Sequence, residues 1–336
     1  MAASGPISGS RAPEIFFNFS ESSSPSKVSK MNSKPGARLA AIDVGSNAIR
    51  LVIGEIDQNG DIKVLKKFRE SVRLGKDTFS QGAISKKSAE RVIETFIKFR
   101  RFLKDHQVIQ VRAVGTSALR EARNRETLVQ DVHKISGLKL EVIDGLEEGQ
   151  LIFSAVSRRL DLNGARSTLI DIGGGSVEVS MADGKKIVSS RSFPIGTVRL
   201  LEALQLKGLK EKHLPNLIES SMKPIRAFLS EGMRNQPIDF AIGTGGNFEC
   251  LGKLRVALLS KTSIYSMSFN ELQELTDHLS SMTIKERIQF LRLKNDRADV
   301  IVPAALVTLA IMEAIPTDIL NVPHVGLRDG LLASML

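Results

Sequence analysis

Ser167-Thr168-Leu169-Ile170-Asp171-Ile172-Gly173-Gly174-Gly175-Ser176-Val177-Glu178 is an apolar run, an aspartate, a glycine turn and the start of a second apolar run. The same order of residue kinds opens much earlier, at Leu39-Ala40-Ala41-Ile42-Asp43-Val44-Gly45-Ser46-Asn47. Each stretch reads as a buried strand that ends in a glycine turn and hands over to another strand. The first continues through Ile49 to Ile56 and Ile62 to Phe68, the second through Ser176 to Met181 and Lys186 to Phe193. Each half therefore opens with an Asp-bearing strand-turn-strand, extended by a third strand, and glycine-containing turns make the first set an antiparallel meander. Repetition on this scale predicts a duplicated α/β architecture, with a boundary near residues 160–166.

Outward from these strands, Ser85 to Lys104 has helical spacing, with Ala89, Val92, Ile93, Phe96 and Phe99 on one face and Ser85 as N-cap. Gln110 to Val114 and Leu140 to Ile143 read as strands, and Glu147 to Arg159 as a helix. The apolar stretch Val300 to Met312 is too short to span a bilayer and contains Pro303; it reads as a buried helix beginning near that proline. Residues 1–36 are rich in Ser, Pro and Gly and read as a dispensable disordered tail, with a transit peptide, or a segment upstream of a start at Met31, as the other readings.

The chain has 336 residues, 42% of them hydrophobic and 25% charged, which suits two modest domains. A net charge of +10 favours anionic partners: nucleic acid, acidic membrane or a small polyanion. No long run of Lys or Arg forms a nucleic-acid arm. With no Trp and one Tyr, base stacking has few platforms. The single cysteine, Cys250, excludes an internal disulfide framework and fits a reducing compartment, with the cytoplasm as default. It reads as a small core residue. The five histidines show no zinc-ligand spacing.

The glycine turns carry the chemistry. Asp43-Val44-Gly45-Ser46-Asn47 is either a plain β-turn with an Asx contact or a turn whose glycine lets backbone N–H groups approach phosphate oxygens, with Asp43 able to hold a metal directly or through water. Gly173-Gly174-Gly175 sacrifices conformational entropy where a phosphate is the usual reason, with Asp171 and Glu178 flanking it. Gly243-Thr244-Gly245-Gly246-Asn247 follows the strand Phe240 to Ile242 and precedes an apolar helix, a junction suited to an anion. Glu147 and Glu148 open a helix, where they either answer the helix dipole or orient and deprotonate water. Arg120 and Arg123 offer guanidinium forks near a turn, or a solvated helix face.

Taken in order, these motifs resemble the exopolyphosphatase / guanosine pentaphosphate phosphatase family. The pattern is Asp43-x-Gly45-Ser46-Asn47, then Gly115-Thr116 with Leu119-Arg120 and Asn124. Next come Glu147-Glu148, Asp171-x-Gly173-Gly174-Gly175-Ser176-x-Glu178, Phe193 to Leu200, Gly243-Thr244-Gly245-Gly246 and Gly326-Leu327-Arg328-Asp329-Gly330. The resemblance runs from about Leu39 to Leu336. It implies an α/β chain with the two-domain actin/sugar-kinase/Hsp70-like fold, a duplicated ribonuclease H-like architecture. The domains would cover residues 37–163 and 164–315, with residues 316–336 packing back on the first and the substrate in the cleft between. It implies Glu148 as catalytic base and Asp171 and Glu178 for metal and water, with Glu178 counted among the catalytic pair and Asp43 beside the metal. It assigns the phosphates to Gly45, Ser46, Asn47, Arg73, Arg120, Gly173, Gly174, Gly175, Ser176, Gly245 and Gly246. The cofactor it implies is Mg²⁺, with Mn²⁺ as alternative. The partners it implies are inorganic polyphosphate or pppGpp and a second copy of the chain, but no nucleic acid or membrane.

Two positions depart from the family pattern: Ala48, where Ser or Thr is frequent, and Asn247, where Thr is frequent. The chain resembles the short members, without added helical domains, so a preference for shorter polyphosphate or low processivity is expected. Lys66, Lys67, Arg69, Arg73, Lys76, Arg120 and Arg199 are expected to line the polyanion site, from their nearness to the motifs in sequence. The activity expected is exopolyphosphatase. The rivals are a pppGpp or other nucleoside polyphosphate phosphatase, a sugar kinase or ATPase, and a sensor that binds without cleaving.

Overall fold

The computed structural model describes residues 34–233 and 238–336; of the tail expected over 1–36, residues 1–33 lie outside the described residues. In the first half, β1 (Arg38–Val44), β2 (Ile49–Ile56) and β3 (Ile62–Glu70) form the antiparallel meander. Then follow α1 (Leu74–Gln81), α2 (Lys86–Asp105), β4 (Gln110–Gly115), α3 (Ser117–Glu121), α4 (Arg125–Ser136), β5 (Leu140–Val142) and α5 (Gly145–Arg159). The second half repeats the plan with β6 (Arg166–Ile172), β7 (Val177–Asp183) and β8 (Lys186–Phe193). It continues through α6 (Thr197–Leu206), α7 (Leu214–Gly232), β9 (Phe240–Thr244), α8 (Gly246–Leu259), β10 (Ser266–Ser268) and α9 (Phe269–Ser281). The chain closes with α10 (Ile284–Leu291), α11 (Asn295–Ala298), α12 (Ile301–Met312), β11 (Ile319–Asn321) and α13 (Leu327–Ala333).

The two sheets are ordered alike. The first runs β3-β2-β1-β4-β5 and the second β8-β7-β6-β9-β11, with β10 added at the edge. In both, the first three strands are antiparallel and the next two run parallel to the first. This is the duplicated α/β architecture that the repeated motif implied, in the actin-like form that the family resemblance implied.

Why β1 is an unbroken apolar run follows from its place. Side chains alternate across a strand. Ala40, Ile42 and Val44 enter a core with α2 and α4, while Leu39 and Ala41 enter a second core with α5 and α13. A strand covered on both faces has no polar side to show. Ser85 caps α2 by accepting a hydrogen bond from Ser88 N–H, and Val92, Phe96, Phe99 and Leu103 are buried along the expected face. The apolar stretch around Pro303 is the buried helix α12. No described helix is long and apolar enough to cross a membrane. Cys250 packs at the margin of the second-half core, where burial pushes its thiol up.

Two elements cross between the halves. α5 follows the first sheet in sequence but lies against β7 and β8 of the second. Its glycines allow the approach: a Cβ at Gly145 would stand 2.6 Å from Ser192 Cβ, and one at Gly149 2.9 Å from Ser190 Oγ. The C-terminal segment divides. β11 completes the second sheet beside β9, and only then does α13 return to pack on α5 and β1. The return to the first half therefore begins after Asn321 rather than at 316, because residues 319–321 are held by strand pairing.

Candidate active site

The antiparallel register places Asp43 opposite Arg50 in the first half and Asp171 opposite Glu178 in the second. These are equivalent positions of the repeated hairpin, so the duplication supplies an acid-cation pair from one side and an acid-acid pair from the other. Arg50 Nη1 donates to Asp43 Oδ2 at 2.9 Å. Both hairpin loops are built the same way, with Gly45 N–H donating to Ala48 O at 3.1 Å and Gly173 N–H to Ser176 O at 2.9 Å.

The loops meet face to face across the halves. A Cβ at Gly174 would lie 3.0 Å from Ser46 Cβ, and one at Gly175 2.3 Å from Ser117 Oγ. The triple glycine is thus required by protein packing as well as by any anion, which its entropy cost alone did not reveal. The N–H groups of Ser46, Asn47, Gly174 and Gly175 make no hydrogen bond among the described residues. They remain as donors for a bound oxyanion.

Asp144 caps α5 by accepting from Glu147 N–H at 2.8 Å. Successive helical residues diverge by about 100°, and the two glutamates part accordingly. Glu147 turns outward to Arg112 at 2.6 Å, whereas Glu148 is buried at the cleft. Oxygens of Glu148, Asp171 and Glu178 lie within 4.8 Å of one another. Burial, then Glu178 and Asp171, push Glu148 well above the usual carboxylate range. Burial and Glu178 push Asp171 up to about 8. Glu178 is raised by burial, against hydrogen bonds from Ser176 and Ser192 and the charge of Arg120. Those bonds reach Glu178 Oε1 at 2.6 and 2.8 Å, while its buried Oε2 has no partner. An unpartnered carboxylate oxygen beside two more is the donor set of a hard divalent cation. These residues form a group able to hold a metal ion.

The cavity in front of them opens to solvent. Asp43, Gly45, Ser46, Asn47, Glu148, Asp171, Gly173, Gly174, Gly175, Ser176, Gly245 and Gly246 all line it. Gly245 adopts φ +83, and a Cβ there would sit 2.4 Å from Asp171 Oδ1, so only glycine lets this turn close on the aspartate. Glu178 stands behind Asp171 in the wall of a smaller void. Arg120 lies beside the cavity, with Nη1 3.4 Å from Glu148 Oε2 and Nη2 4.0 Å from Glu178 Oε1.

The expected basic lining is not where sequence proximity put it. Arg73 does not line the cavity; its guanidinium pairs with Asp299 of the second half. Arg69 pairs with Asp296 at 2.5 Å, Arg123 donates to Gln81 O, and Arg199 is engaged by Glu121. The arginines that do line the cavity are Arg50, Arg297 and Arg328. Arg50 was legible in principle, since folding the first hairpin sets it opposite Asp43. Arg297 had no local signal: it reaches the site from α11 and donates to Asn247 Oδ1, whose Nδ2 donates to Ile172 O at 2.6 Å. Asn247, one of the two departures, is therefore a strut between the glycine loop and an arginine.

A family model described as the Ppx/GppA phosphatase family matches residues 52–336. The chain belongs to the Ppx/GppA phosphatase family. Exopolyphosphatase 1 of Mycobacterium leprae is 28% identical over 306 residues, covering 89% of each chain. Guanosine-5'-triphosphate,3'-diphosphate pyrophosphatase of Vibrio vulnificus is 29% identical over 302 residues, 88% of this chain and 59% of that longer protein. Among solved structures, an exopolyphosphatase from Cytophaga hutchinsonii superposes with a TM-score of 0.80 at 28% identity, covering 89% of this chain and 97% of that one. The Aquifex aeolicus Ppx/GppA family member gives 0.70 at 27% identity, again over 89% and 97%. Both halves of the Ppx/GppA architecture thus have solved counterparts.

Proposed function

We propose that this chain is a Mg²⁺-dependent exopolyphosphatase that releases the terminal phosphate of inorganic polyphosphate. The observation that carries the reading is the convergence of Glu148, Asp171 and Glu178, the first two lining a cavity walled by two glycine hairpin loops and three arginines. The relatives named as exopolyphosphatases, aligned over most of the chain, support it. The exopolyphosphatase relative is matched over 89% of its own length and the guanosine-5'-triphosphate,3'-diphosphate pyrophosphatase over 59%, which favours an inorganic chain over pppGpp.

The terminal phosphate is held by the free loop N–H groups, with Ser46, Asn47 and Ser176 beside it and Arg50, Arg297 and Arg328 opposing its charge. Glu148 accepts a proton from a water as that water's oxygen bonds to the terminal phosphorus. The phosphoanhydride bond breaks, and the electron pair leaves with the bridging oxygen. The products are inorganic phosphate and a chain one phosphate shorter. Asp171, Glu178 and Asp43 would hold Mg²⁺, or Mn²⁺ in its place; bound there, it neutralises phosphate charge and polarises the reacting oxygens. Arg120 steadies the ionised form of Glu148 between turnovers.

Glu148→Gln is isosteric and removes the base. It is expected to lower kcat by about 10²–10⁴-fold while the variant still binds polyphosphate. Wild-type turnover in Glu148→Gln would refute the assignment.

A further inference from the structure

Arg199 takes no part in the mechanism above, yet it contacts the second-half glycine loop and two helices of the first half. It sits in the first turn of α6. Its backbone N–H donates to Gly174 O at 3.0 Å, and its Nε donates to Gly175 O at 2.8 Å. Its Nη2 reaches Glu121 Oε1 of α3 at 2.5 Å. The guanidinium lies 3.9 Å over the ring of Phe79 in α1. One arginine therefore joins the second-half glycine loop to two helices of the first half.

Each bond has a consequence at the cavity. In a trans peptide the N–H points opposite to the preceding C=O, and no peptide among the described residues is cis. Fixing Gly174 O on α6 directs the Gly175 N–H away from that helix, and fixing Gly175 O on Arg199 does the same for Ser176 N–H. The Glu121 oxygen that Arg199 holds also accepts from Ser117 Oγ at 3.0 Å, and Ser117 lines the cavity. Gly174 O is held by the backbone N–H groups of Val198 and Arg199, and the Arg199 side chain joins Gly196 N–H in holding Gly175 O on one side while, through Glu121, it orients a serine hydroxyl on the other.

We infer that Arg199, acting with Glu121, is a positioning residue. It locks the Gly173–Ser176 loop and Ser117 in the register that receives the terminal phosphoryl group. The inference rests on the proposed polyphosphatase reading for its substrate, though not for its geometry. A preorganised donor is worth about 10²–10³ in rate when lost, and the Arg199 side chain sets one of them, the Ser176 N–H, through its bond to Gly175 O.

The test uses the full chain with Arg199→Met, Arg199→Lys, Glu121→Gln and the Arg199→Met/Glu121→Gln double variant. It measures kcat and KM for tripolyphosphate with Mg²⁺, Tm, and calorimetric affinity for a non-hydrolysable methylene-bridged tripolyphosphate. Arg199→Met is expected to lose about 30-fold or more in kcat/KM and about tenfold in analogue affinity. Arg199→Lys keeps the ion pair but not the Nε bond and should fall between Arg199→Met and wild type. The double variant should be no worse than Arg199→Met, because the pair acts as a unit. Additive losses, wild-type kinetics in Arg199→Lys, or activity restored in full once the assay is run well below each variant's Tm would overturn the inference. A wild-type protein inert on every polyphosphate would instead refute the parent reading. The analogue affinity would still decide on Arg199, with an unchanged value in Arg199→Met counting against it.

Discussion

Glu148, Asp171 and Glu178 repel one another when ionised, and burial leaves little water to screen them. Burial, then the charge of Glu178, raises Asp171 from an ordinary 3.8 to about 8. Between those values the folded protein holds a proton that the unfolded chain has released. The metal-free protein should therefore lose stability as pH rises from about 4 to 8. Binding of Mg²⁺ requires the ionised carboxylates, so it should reduce or reverse that slope; Tm measured against pH with chelator and with Mg²⁺ checks both. A second residue-scale prediction concerns Arg73, which precedes α1 with φ 59 in the left-handed region. There a side chain costs about 1 kcal/mol or more relative to glycine. Arg73→Gly should melt higher than Arg73→Ala, although both lose the Asp299 ion pair. Individual residues were legible in sequence where a motif framed them, as with Asp43, Glu148, Asp171 and Glu178. Arg50 needed the hairpin folded, and Arg297 needed the tertiary fold, because nothing beside it in sequence marks it out.

At the scale of elements, α5 decides where the base stands. It is aimed by Gly145 and Gly149 lying on Ser192, Ser190 and Ser180. Gly149→Val should push the helix from β7 and β8 and carry Glu148 away from Glu178, reducing kcat more than KM while the fold persists by circular dichroism. Gly196 is stricter. A Cβ there would stand 2.3 Å from the Gly175 backbone, which has no side chain to give way. Gly196→Ala should be among the most destabilising single changes in the loop region, visible as a large fall in Tm, whereas Gly173→Ala meets only Ser176 O at 3.1 Å and should fall less. Strand edges were readable from alternation and glycine turns: β2 and β8 lie where the apolar pattern places them. α1 was not readable. Its run Leu-Gly-Lys-Asp-Thr-Phe-Ser-Gln buries only Leu74, Gly75 and Thr78, too few for a periodic stripe. β11 was hidden by its three-residue length and by the distance in sequence to its partner β9.

The whole molecule is two copies of one sheet plan closed on a shared site. Closure is held by groups from both halves: Arg69 with Asp296, Arg73 with Asp299, Asn47 Nδ2 on Asp296 O at 2.7 Å, and Arg199 with Glu121. The duplication was legible because its signature is local, an Asp-bearing strand and glycine turn written twice. The basic lining was not, since Arg69, Arg73 and Arg199 are consumed in bridging the halves while Arg297 reaches the cavity from a segment that no motif marks. If this cleft removes terminal phosphates from inorganic polyphosphate, the direct measurement is phosphate release with and without Mg²⁺ from tripolyphosphate, long-chain polyphosphate and pppGpp, side by side at equal terminal-phosphate concentration. Metal-dependent release with a clear preference for the inorganic chains is expected. Preference for pppGpp, or no release from any of the three with Mg²⁺ present, would contradict it.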